Sequence, residues 1–265
     1  TAKGEIIMNK KFVSLFAAAV LSIQAAAMPI IANAEASVTY ITDSDFTDCA
    51  VGGNTGQGIY GLNIIQDGAP WLTKGSASEH YETYMHDDER DVNYCNMYSN
   101  SDKSGTDDGA GSMYMYQRDT TTTFSQTYGY CQFDIRMNSG KFALMIGSFT
   151  DPTSSTDYLA NTITFGDGAI TAADGARTST VASIKEGEWY TVKVMVNNVL
   201  QSVSISVTDM DGTVIGTLTD AAYQQADCDK VRIWCFGYLR GNKYDYDLTN
   251  VTIHNSTDAE NPFSI

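Results

Sequence analysis

The chain has 265 residues, 43% of them hydrophobic, and a formal net charge of −16 at pH 7. This charge argues against nucleic acid and anionic membrane surfaces as partners, because both attract basic patches. No segment after the first 34 residues is apolar enough to span a bilayer. The composition therefore predicts a protein with no nucleic-acid partner and no membrane insertion.

The N-terminal segment predicts export. Met8–Lys11 contains two lysines, an apolar run follows over residues 12–31, and Ala32–Ala34 is a small-x-small cleavage site. This order is typical of a secretory signal peptide. A membrane anchor is the alternative, but Gln24 and Pro29 interrupt the run and the cleavage site follows at once. We expect cleavage after Ala34 and an extracellular or cell-surface location.

The remainder is predicted to be one domain. Residues 1–7 are interpreted as untranslated leader, because Lys3-Gly4-Glu5 can be encoded by a bacterial ribosome-binding sequence. Residues 1–34 carry a net charge of +2, so the rest carries −18. We predict a single β-sandwich over residues 35–255, and a linker or a truncated C-terminal end over 256–265.

The five cysteines all follow the leader. An odd number cannot pair fully within one chain. Cys131 and Cys235 share the parity of the apolar residues in their predicted strands, so both are predicted to be buried free thiols.

Predicted strands recur at short intervals along the chain, separated by turn signals. Outside the central hairpins they are Val38–Thr42, Met113–Arg118, Tyr128–Met137, Lys141–Phe149, Asn161–Phe165, Lys230–Tyr238 and Tyr244–His254. The sequence Asn138-Ser139-Gly140 predicts a turn, whereas residues 79–99 show no clean period and receive no assignment. Short strands without a helical period indicate an antiparallel sandwich.

Two consecutive β-hairpins are predicted over residues 187–218. Val192, Val194 and Val196 alternate with Thr191, Lys193 and Met195, and the return strand alternates valine and isoleucine with serine through Val207. Turns are predicted at Asn197-Asn198 and at Asp209–Gly212. Strands with one apolar face cover a core from one side, as in an antiparallel sandwich.

This stretch resembles the central hairpins of concanavalin A-like (laminin-G-like) jelly rolls. The resemblance rests on the Gly-Glu-Trp-Tyr sequence at 187–190, the Val-rich strand, the Ser/Val strand and the Asp-Gly turn. It implies an all-β, antiparallel jelly-roll β-sandwich, as found in secreted bacterial polysaccharide-degrading proteins. It also implies a polysaccharide or oligosaccharide as partner. Because a fold does not fix a function, the site needs its own argument.

Three predicted strands carry aromatic rings and guanidinium groups on the face opposite the apolar one. Sugars stack on such rings and form hydrogen bonds with Arg and Gln. The predicted ligand-binding residues are Tyr114, Tyr116, Arg118, Tyr130, Gln132, Arg136, Arg232, Trp234 and Tyr238. The alternative is ordinary cross-strand pairing, which also favours aromatic and Arg–Asp pairs.

A structural calcium ion is predicted near the paired first and last strands. Asp43, Asp45 and Asp247 would supply carboxylate oxygens, the ligands that calcium prefers. The alternative is that aspartate is common at strand ends in so acidic a chain. Other carboxylates are less specific: Glu89-x-Asp91 has Tyr94 where a related glucanase motif has its third carboxylate.

No catalytic motif is found, and the sequence leaves open whether the chain is an enzyme. The favoured function is that of a secreted carbohydrate-binding module, accessory to a polysaccharide-degrading protein that carries a downstream catalytic domain. The alternatives are a glycoside hydrolase or polysaccharide (pectin) lyase of the same fold, and an adhesive or structural surface module. For a lyase, Tyr130 with Arg136 would be the pair to test. The acidic charge predicts a neutral glycan as ligand, with pectin bound only through calcium.

Overall fold

Strands joined by tight turns make up most of the chain that the computed structural model describes, namely residues 38–44, 46, 64–66, 69–74, 80–99, 114–118, 127–148, 158–237 and 242–256. These residues contain no helix, and thus no helix able to cross a membrane. Every strand pairing among them is antiparallel. The predicted all-β, antiparallel class is confirmed.

Fifteen strands lie within the described residues. They are β1 (Val38–Ser44), β2 (Ile64–Gln66), β3 (Ala69–Lys74), β4 (His80–Asp87), β5 (Val92–Ser99), β6 (Tyr114–Arg118), β7 (Tyr128–Gly147), β8 (Leu159–Gly166), β9 (Ala169–Asp174), β10 (Arg177–Ser183), β11 (Trp189–Asn197), β12 (Ser202–Asp209), β13 (Val214–Ala222), β14 (Ile233–Phe236) and β15 (Tyr244–Ser256).

The strands form two layers that share β7. The first layer runs β13–β12–β11–β7–β15, and β15 pairs on its far side with β5 and β1. The hairpin partner β4 extends β5. The second layer has the order β10–β9–β8–β7–β14–β6–β3–β2. Rings from the two layers meet between them: Phe133 lies 5.1 Å from Phe236, centroid to centroid.

Strand β7 passes from one layer to the other without a turn. Residues 128–137 pair with β11 and β15, whereas residues 141–147 pair with β8 and β14. The predicted turn at Asn138–Gly140 is therefore wrong. Gly140 has φ +74° and Lys141 N donates to the Lys243 carbonyl at 2.9 Å, so the turn residues kink a continuous strand instead of reversing it.

The core lies between the layers and contains the apolar faces predicted from the sequence. Val192, Val194 and Val196 of β11 are at most 1% exposed, as are the core residues of β12. Cys131 and Cys235 are buried free thiols, which confirms their prediction, and Cys95 and Cys228 are buried free thiols as well. Burial raises the pKa of the Cys131 thiol well above its usual value and that of Cys228 to about 12.

The face of strand β14 that meets the main core is the opposite of the predicted one. Trp234 and Phe236 face the main core, while Ile233 and Cys235 form a second small cluster with Met145. All four strand residues are buried. Alternation predicts which residues share a face, but it cannot tell which of two apolar faces meets the larger core. The prediction that Trp234 is accessible is corrected on this ground.

The two central hairpins are confirmed, and one turn uses different residues from those expected. Residues 198–201 form the β11–β12 turn, and the positive φ of 51° falls on Gln201. Asn197 acts through its side chain, whose Oδ1 accepts hydrogen bonds from the backbone amides of Val199 and Leu200 at 3.0 Å each. Gly212 has φ +80° in the β12–β13 turn, as the Asp-Gly sequence predicts.

Residues 80–99, which the sequence left unassigned, form the β4–β5 hairpin. Asp91 closes its turn with φ 53°, and Asp87 Oδ1 accepts hydrogen bonds from the amides of Glu89 and Arg90 at 3.1 and 3.2 Å. Strand β5 pairs with the start of β15, and β1 pairs with its end. The predicted pairing of the first and last strands is confirmed.

Two glycines test the β7 crossing. Gly140→Ala and Gly187→Ala both place a side chain at positive φ, which costs about 1–2 kcal/mol. At Gly187 the added Cβ meets nothing within 4 Å, whereas at Gly140 it collides with the Lys243 carbonyl. Overpacking adds about 1–3 kcal/mol. Chemical denaturation should show a clearly larger loss for Gly140→Ala; equal losses would contradict a tight crossing.

Candidate functional site

The outer face of the first layer, the side turned away from the core, collects polar side chains in register. On β7, Cys131, Phe133 and Ile135 point into the core, so Gln132 and Arg136 point outwards. Across the strands, Trp189 of β11 lies opposite Arg136, which lies opposite Asp247 of β15. Period-two alternation in three paired strands therefore brings these side chains into one row.

Five charged residues of this face form the ionic cluster: Asp87, Arg90, Asp134, Arg136 and Asp247. Arg90 Nη2 lies 2.7 Å from Asp134 Oδ2. Arg136 Nε lies 2.7 Å from Asp247 Oδ2, and its Nη1 lies 3.2 Å from Asp87 Oδ2. The three carboxylate side chains are at most 10% exposed. These charges are thus paired away from bulk water.

Trp189 lies against both guanidinium groups. The Cζ atoms of Arg90 and Arg136 are 4.6 and 4.7 Å from its ring centroid, and its indole Nε1 donates to Asp87 Oδ2 at 3.0 Å. Tyr94 packs edge-on to Trp189 with centroids 5.8 Å apart. Trp189 is 7% exposed, so cations rather than solvent cover it.

Amide and hydroxyl groups satisfy the remaining carboxylate oxygens. Asp134 accepts hydrogen bonds from Thr191 Oγ1 at 2.6 Å and from Asn250 Nδ2 at 2.9 Å. Asn96 and Asn138 each donate to both Asp245 and Asp247 at 2.7–3.1 Å. Buried polar groups need such partners, because an unpaired one costs about 1–3 kcal/mol.

The cluster changes the pKa of its members. Burial alone would raise the pKa of Asp87, but hydrogen bonds from the Trp189 indole and two backbone amides, with the charge of Arg136, outweigh it and lower the pKa below 3.8. Burial alone would lower the pKa of Arg136, but the hydrogen bond and charge of Asp247 raise it. Both groups are therefore held in their charged forms.

A second part of the outer face, the open row, consists of Lys193, Gln132 and Thr252. Lys193 and Thr252 lie opposite Gln132 on the two strands that flank β7. Gln132 is exposed, its two neighbours are partly exposed, and neither Gln132 nor Lys193 bonds to another side chain in the described part of the chain. Beside this row, Tyr130 stacks on His254 with centroids 4.9 Å apart.

An open cleft of about 580 Å³ lies at the end of the first layer, between the turn before β11 and the β12–β13 turn. Its lining includes the rings of Trp189 and Tyr190 and the charged residues Lys185, Glu188 and Asp211. It is a concavity that a ligand could enter.

The predicted ligand-binding residues do not share one groove. Gln132, Tyr130 and Arg136 lie on the outer face of the first layer, whereas β6 and β14 belong to the second layer. The residues assigned to β6 are Tyr114, Tyr116 and Arg118. The prediction that these residues line one common groove is wrong, because β7 passes from one layer to the other between its two halves.

The second-layer residues are also divided among themselves. The register places Tyr116 opposite Cys235 and Gln117 opposite Trp234, so Tyr116 is not the cross-strand partner of Trp234. Trp234 is 1% exposed and packs in the core, where no sugar can reach it. Arg232 precedes β14, is partly exposed and has a buried Nε without a hydrogen-bond partner. Tyr238 lies outside the described residues.

Asp247 does not fit the predicted calcium site. Its Oδ2 accepts hydrogen bonds from Arg136 and Asn138, and its Oδ1 from Asn96, so cationic and amide donors occupy both oxygens. Asp43 lies opposite Thr252, five residues from Asp247 and about 16 Å along β15. The described residues contain no group of three or more metal-ligating side chains placed to hold an ion. Calcium at Asp43 and Asp45 stays a prediction, and Asp45 lies outside the described residues.

Sequence reasoning missed most of the ionic cluster. Arg90 and Asp87 come from residues 79–99, which show no regular alternation of apolar and polar residues. Trp189 was noted only as part of the Gly-Glu-Trp-Tyr sequence. The available signal was the parity of β11, which puts Trp189 on the same face as Thr191 and Lys193. The parity of β11 indicates that Trp189 lies beside Arg136 only when the register of β11 against β7 is known.

Comparison with known proteins supports the fold alone. No protein-family model and no curated protein matches the sequence. A solved protein of unknown function from Shewanella oneidensis MR-1 matches 98% of this chain and 100% of its own at 12% identity, with a TM-score of 0.54. A sialidase matches 72% of this chain at 13% identity and a TM-score of 0.45, and the chain spans 21% of that sialidase. An alginate lyase of polysaccharide lyase family 7 matches 66% of this chain and 84% of its own, at 11% identity and a TM-score of 0.44.

Removing one partner of a buried ion pair should cost far more stability than removing one partner of an exposed pair. Asp247→Asn replaces one of the two accepting oxygens by an amide donor, which then faces either Asn96 or Arg136 and Asn138. It should lower the free energy of unfolding by about 2–4 kcal/mol. The control, Asp167→Asn, breaks the exposed pair with Lys141 and should change it by less than about 0.5 kcal/mol. Urea denaturation measures both; similar losses would contradict the energetic importance of the cluster.

Acid should remove the contribution of Asp87. Because its pKa is lower in the folded than in the unfolded state, the stability it adds is fully present above about pH 5 and is lost as the pH falls below 3.8 through the folded pKa. The stability gap between wild type and Asp87→Asn should therefore be constant near neutral pH and shrink in acid. A gap that does not shrink would disprove the lowered pKa.

Proposed function

We propose that the protein is a secreted carbohydrate-binding protein whose ligand lies along the open row of the outer face. The predicted leader over residues 1–34 supports secretion. The resemblance of the central hairpins to concanavalin A-like modules supports a glycan ligand. The proposal does not depend on a metal ion or on a catalytic residue.

The contrast between the two parts of the outer face carries the proposal. In the ionic cluster the polar side chains bond to one another, whereas Gln132 and Lys193 in the open row have no side-chain partner within the described residues. An amide and an ammonium group together offer donors and an acceptor for sugar hydroxyls. Polar groups left without partners at the centre of a sheet are available to a ligand.

The neighbouring rings add an apolar surface. Tyr130 is 5% exposed and is held by its stack on His254, whose own side chain is partly exposed. Because Tyr130 is buried, the partly exposed His254 ring that this stack holds is the one that can contact the C–H face of a sugar without losing further freedom. The hydroxyls of the same sugar would then reach Gln132, two positions along β7 from Tyr130.

A polysaccharide lyase is the second candidate. The Tyr130–His254 stack favours it, because a tyrosine or histidine can act as the base in such an enzyme. In β-elimination a base takes the C5 proton of a uronate, the C4–O bond breaks and a C4=C5 double bond forms, while the leaving oxygen gains a proton. Such chemistry needs a cation beside the uronate carboxylate. Arg136 is six residues from Tyr130, about 20 Å along the strand, and is already paired with two carboxylates. Binding is therefore the better supported function.

The proposal is tested with the secreted protein purified after expression of the full chain. We expect binding on a glycan array, without release of reducing ends or of unsaturated product. For the best glycan, Gln132→Ala combined with Lys193→Ala should weaken binding about tenfold or more, measured by calorimetry, since each lost hydrogen bond is worth about 0.5–1.5 kcal/mol.

Two exposed cleft residues provide the matched control. Glu188→Ala and Asp211→Ala should leave the affinity unchanged, since the cleft lies away from the open row. The reverse pattern would put the ligand in the cleft and overturn the proposed site. Absence of binding to every glycan on the array would contradict carbohydrate binding. Formation of an unsaturated product would establish lyase activity.

A further inference from the structure

We infer that the outer face selects neutral glycans over polyuronates, because its two arginines are already neutralised by the protein's own carboxylates. This inference rests on the proposed function and specifies its ligand class. Arginine is the side chain best suited to bind a uronate, since its planar fork matches a carboxylate. How much of the arginine charge of this face is available to a ligand therefore affects how tightly a uronate is bound.

Neither arginine presents a free fork to solvent. Arg136 uses Nε for Asp247 and Nη1 for Asp87. Arg90 uses Nη2 for Asp134, and its Nη1 is buried without a partner, where no ligand can reach it unless the side chain moves. A uronate would have to displace a short internal ion pair before it could form its own.

The charge balance points the same way. The ionic cluster has two positive and three negative side chains, a net charge of −1, and Asp245 shares the amides of Asn96 and Asn138 with it. Lys193 of the open row adds one positive charge on a chain whose total is −16. At low ionic strength a polyanion is therefore repelled, and the repulsion weakens as salt shortens the screening length to about 8 Å at 0.15 M.

The hydrogen bonds around Asp87 suggest which carboxylate controls this selectivity. Asp87 holds Arg136 at 3.2 Å, receives the Trp189 indole at 3.0 Å and accepts two turn amides through its other oxygen. Asparagine at this position keeps an oxygen acceptor but removes the charge. The substitution would thus leave Arg136 with one carboxylate partner instead of two, and make part of its charge available to a ligand.

The first experiment ranks neutral and acidic glycans on the array in the presence of a chelator. If the glycans that bind most tightly are neutral, the result supports the inference. Acidic glycans as the tighter hits overturn it, while the proposed function stands. An array without hits overturns the proposed function itself, so the two failures are distinguishable.

The second experiment uses ligands that differ in charge alone. The best neutral glycan is compared with the same glycan after oxidation of its C6 hydroxyls to carboxylates, by calorimetry at low salt with chelator. The wild type should bind the neutral form at least about tenfold more tightly. The ratio should fall as salt is added, because screening removes the repulsion.

Asp87→Asn and Asp88→Asn separate local from overall charge. Both remove one negative charge, but Asp88 is fully exposed and lies against His86 at 3.7 Å, not against an arginine. Asp87→Asn should reduce the neutral-to-oxidised ratio several-fold, and Asp88→Asn should leave it nearly unchanged. Equal effects would refute the role of the arginine pairing. If thermal melting shows Asp87→Asn to be unfolded, Asp134→Asn, which releases Arg90, takes its place.

Discussion

The sharing of strand β7 by both layers is the constraint on which the structure depends. Its first half forms the centre of the first layer, and its second half pairs with β8 and β14 in the other. The same strand therefore sets the position of the core rings and of the outer face. A shift of one residue in its register would exchange Phe133 for Gln132 in the core, so the core also fixes the site.

The ionic cluster contributes order more than net stability. Removing buried charges from water costs several kcal/mol per ion, and well-placed partners do little more than offset this cost. What the pairs fix is geometry: the Arg136–Asp247 and Arg90–Asp134 contacts join β15, β7 and the β4–β5 turn. Misaligned strands would leave these charges unpaired, so the cluster penalises a wrong register on the outer face, as apolar packing does in the core.

Sequence patterns predicted what depends on neighbours in the chain and failed where the outcome depends on distant partners. The alternation of Val192, Val194 and Val196 was sufficient to place β11, and the Asp-Gly turn was found where expected. Asn138–Gly140 was misread because a kink and a turn use the same residues. Trp234 was assigned to the wrong face since both faces of β14 are apolar. The cluster was missed because Arg90 and Asp134 lie 44 residues apart and meet only after folding.

The four buried thiols among the described residues determine how the protein would respond to an oxidising medium. A thiol reacts as its thiolate, and burial raises the pKa of Cys131 and Cys228 so that very little thiolate exists at neutral pH. In an oxidising medium, unpaired cysteines risk scrambling and crosslinking between molecules. Here the sandwich itself protects them, which makes redox resistance a property of the folded state. The rate at which these thiols are oxidised would then be set by how often the folded protein opens and exposes them.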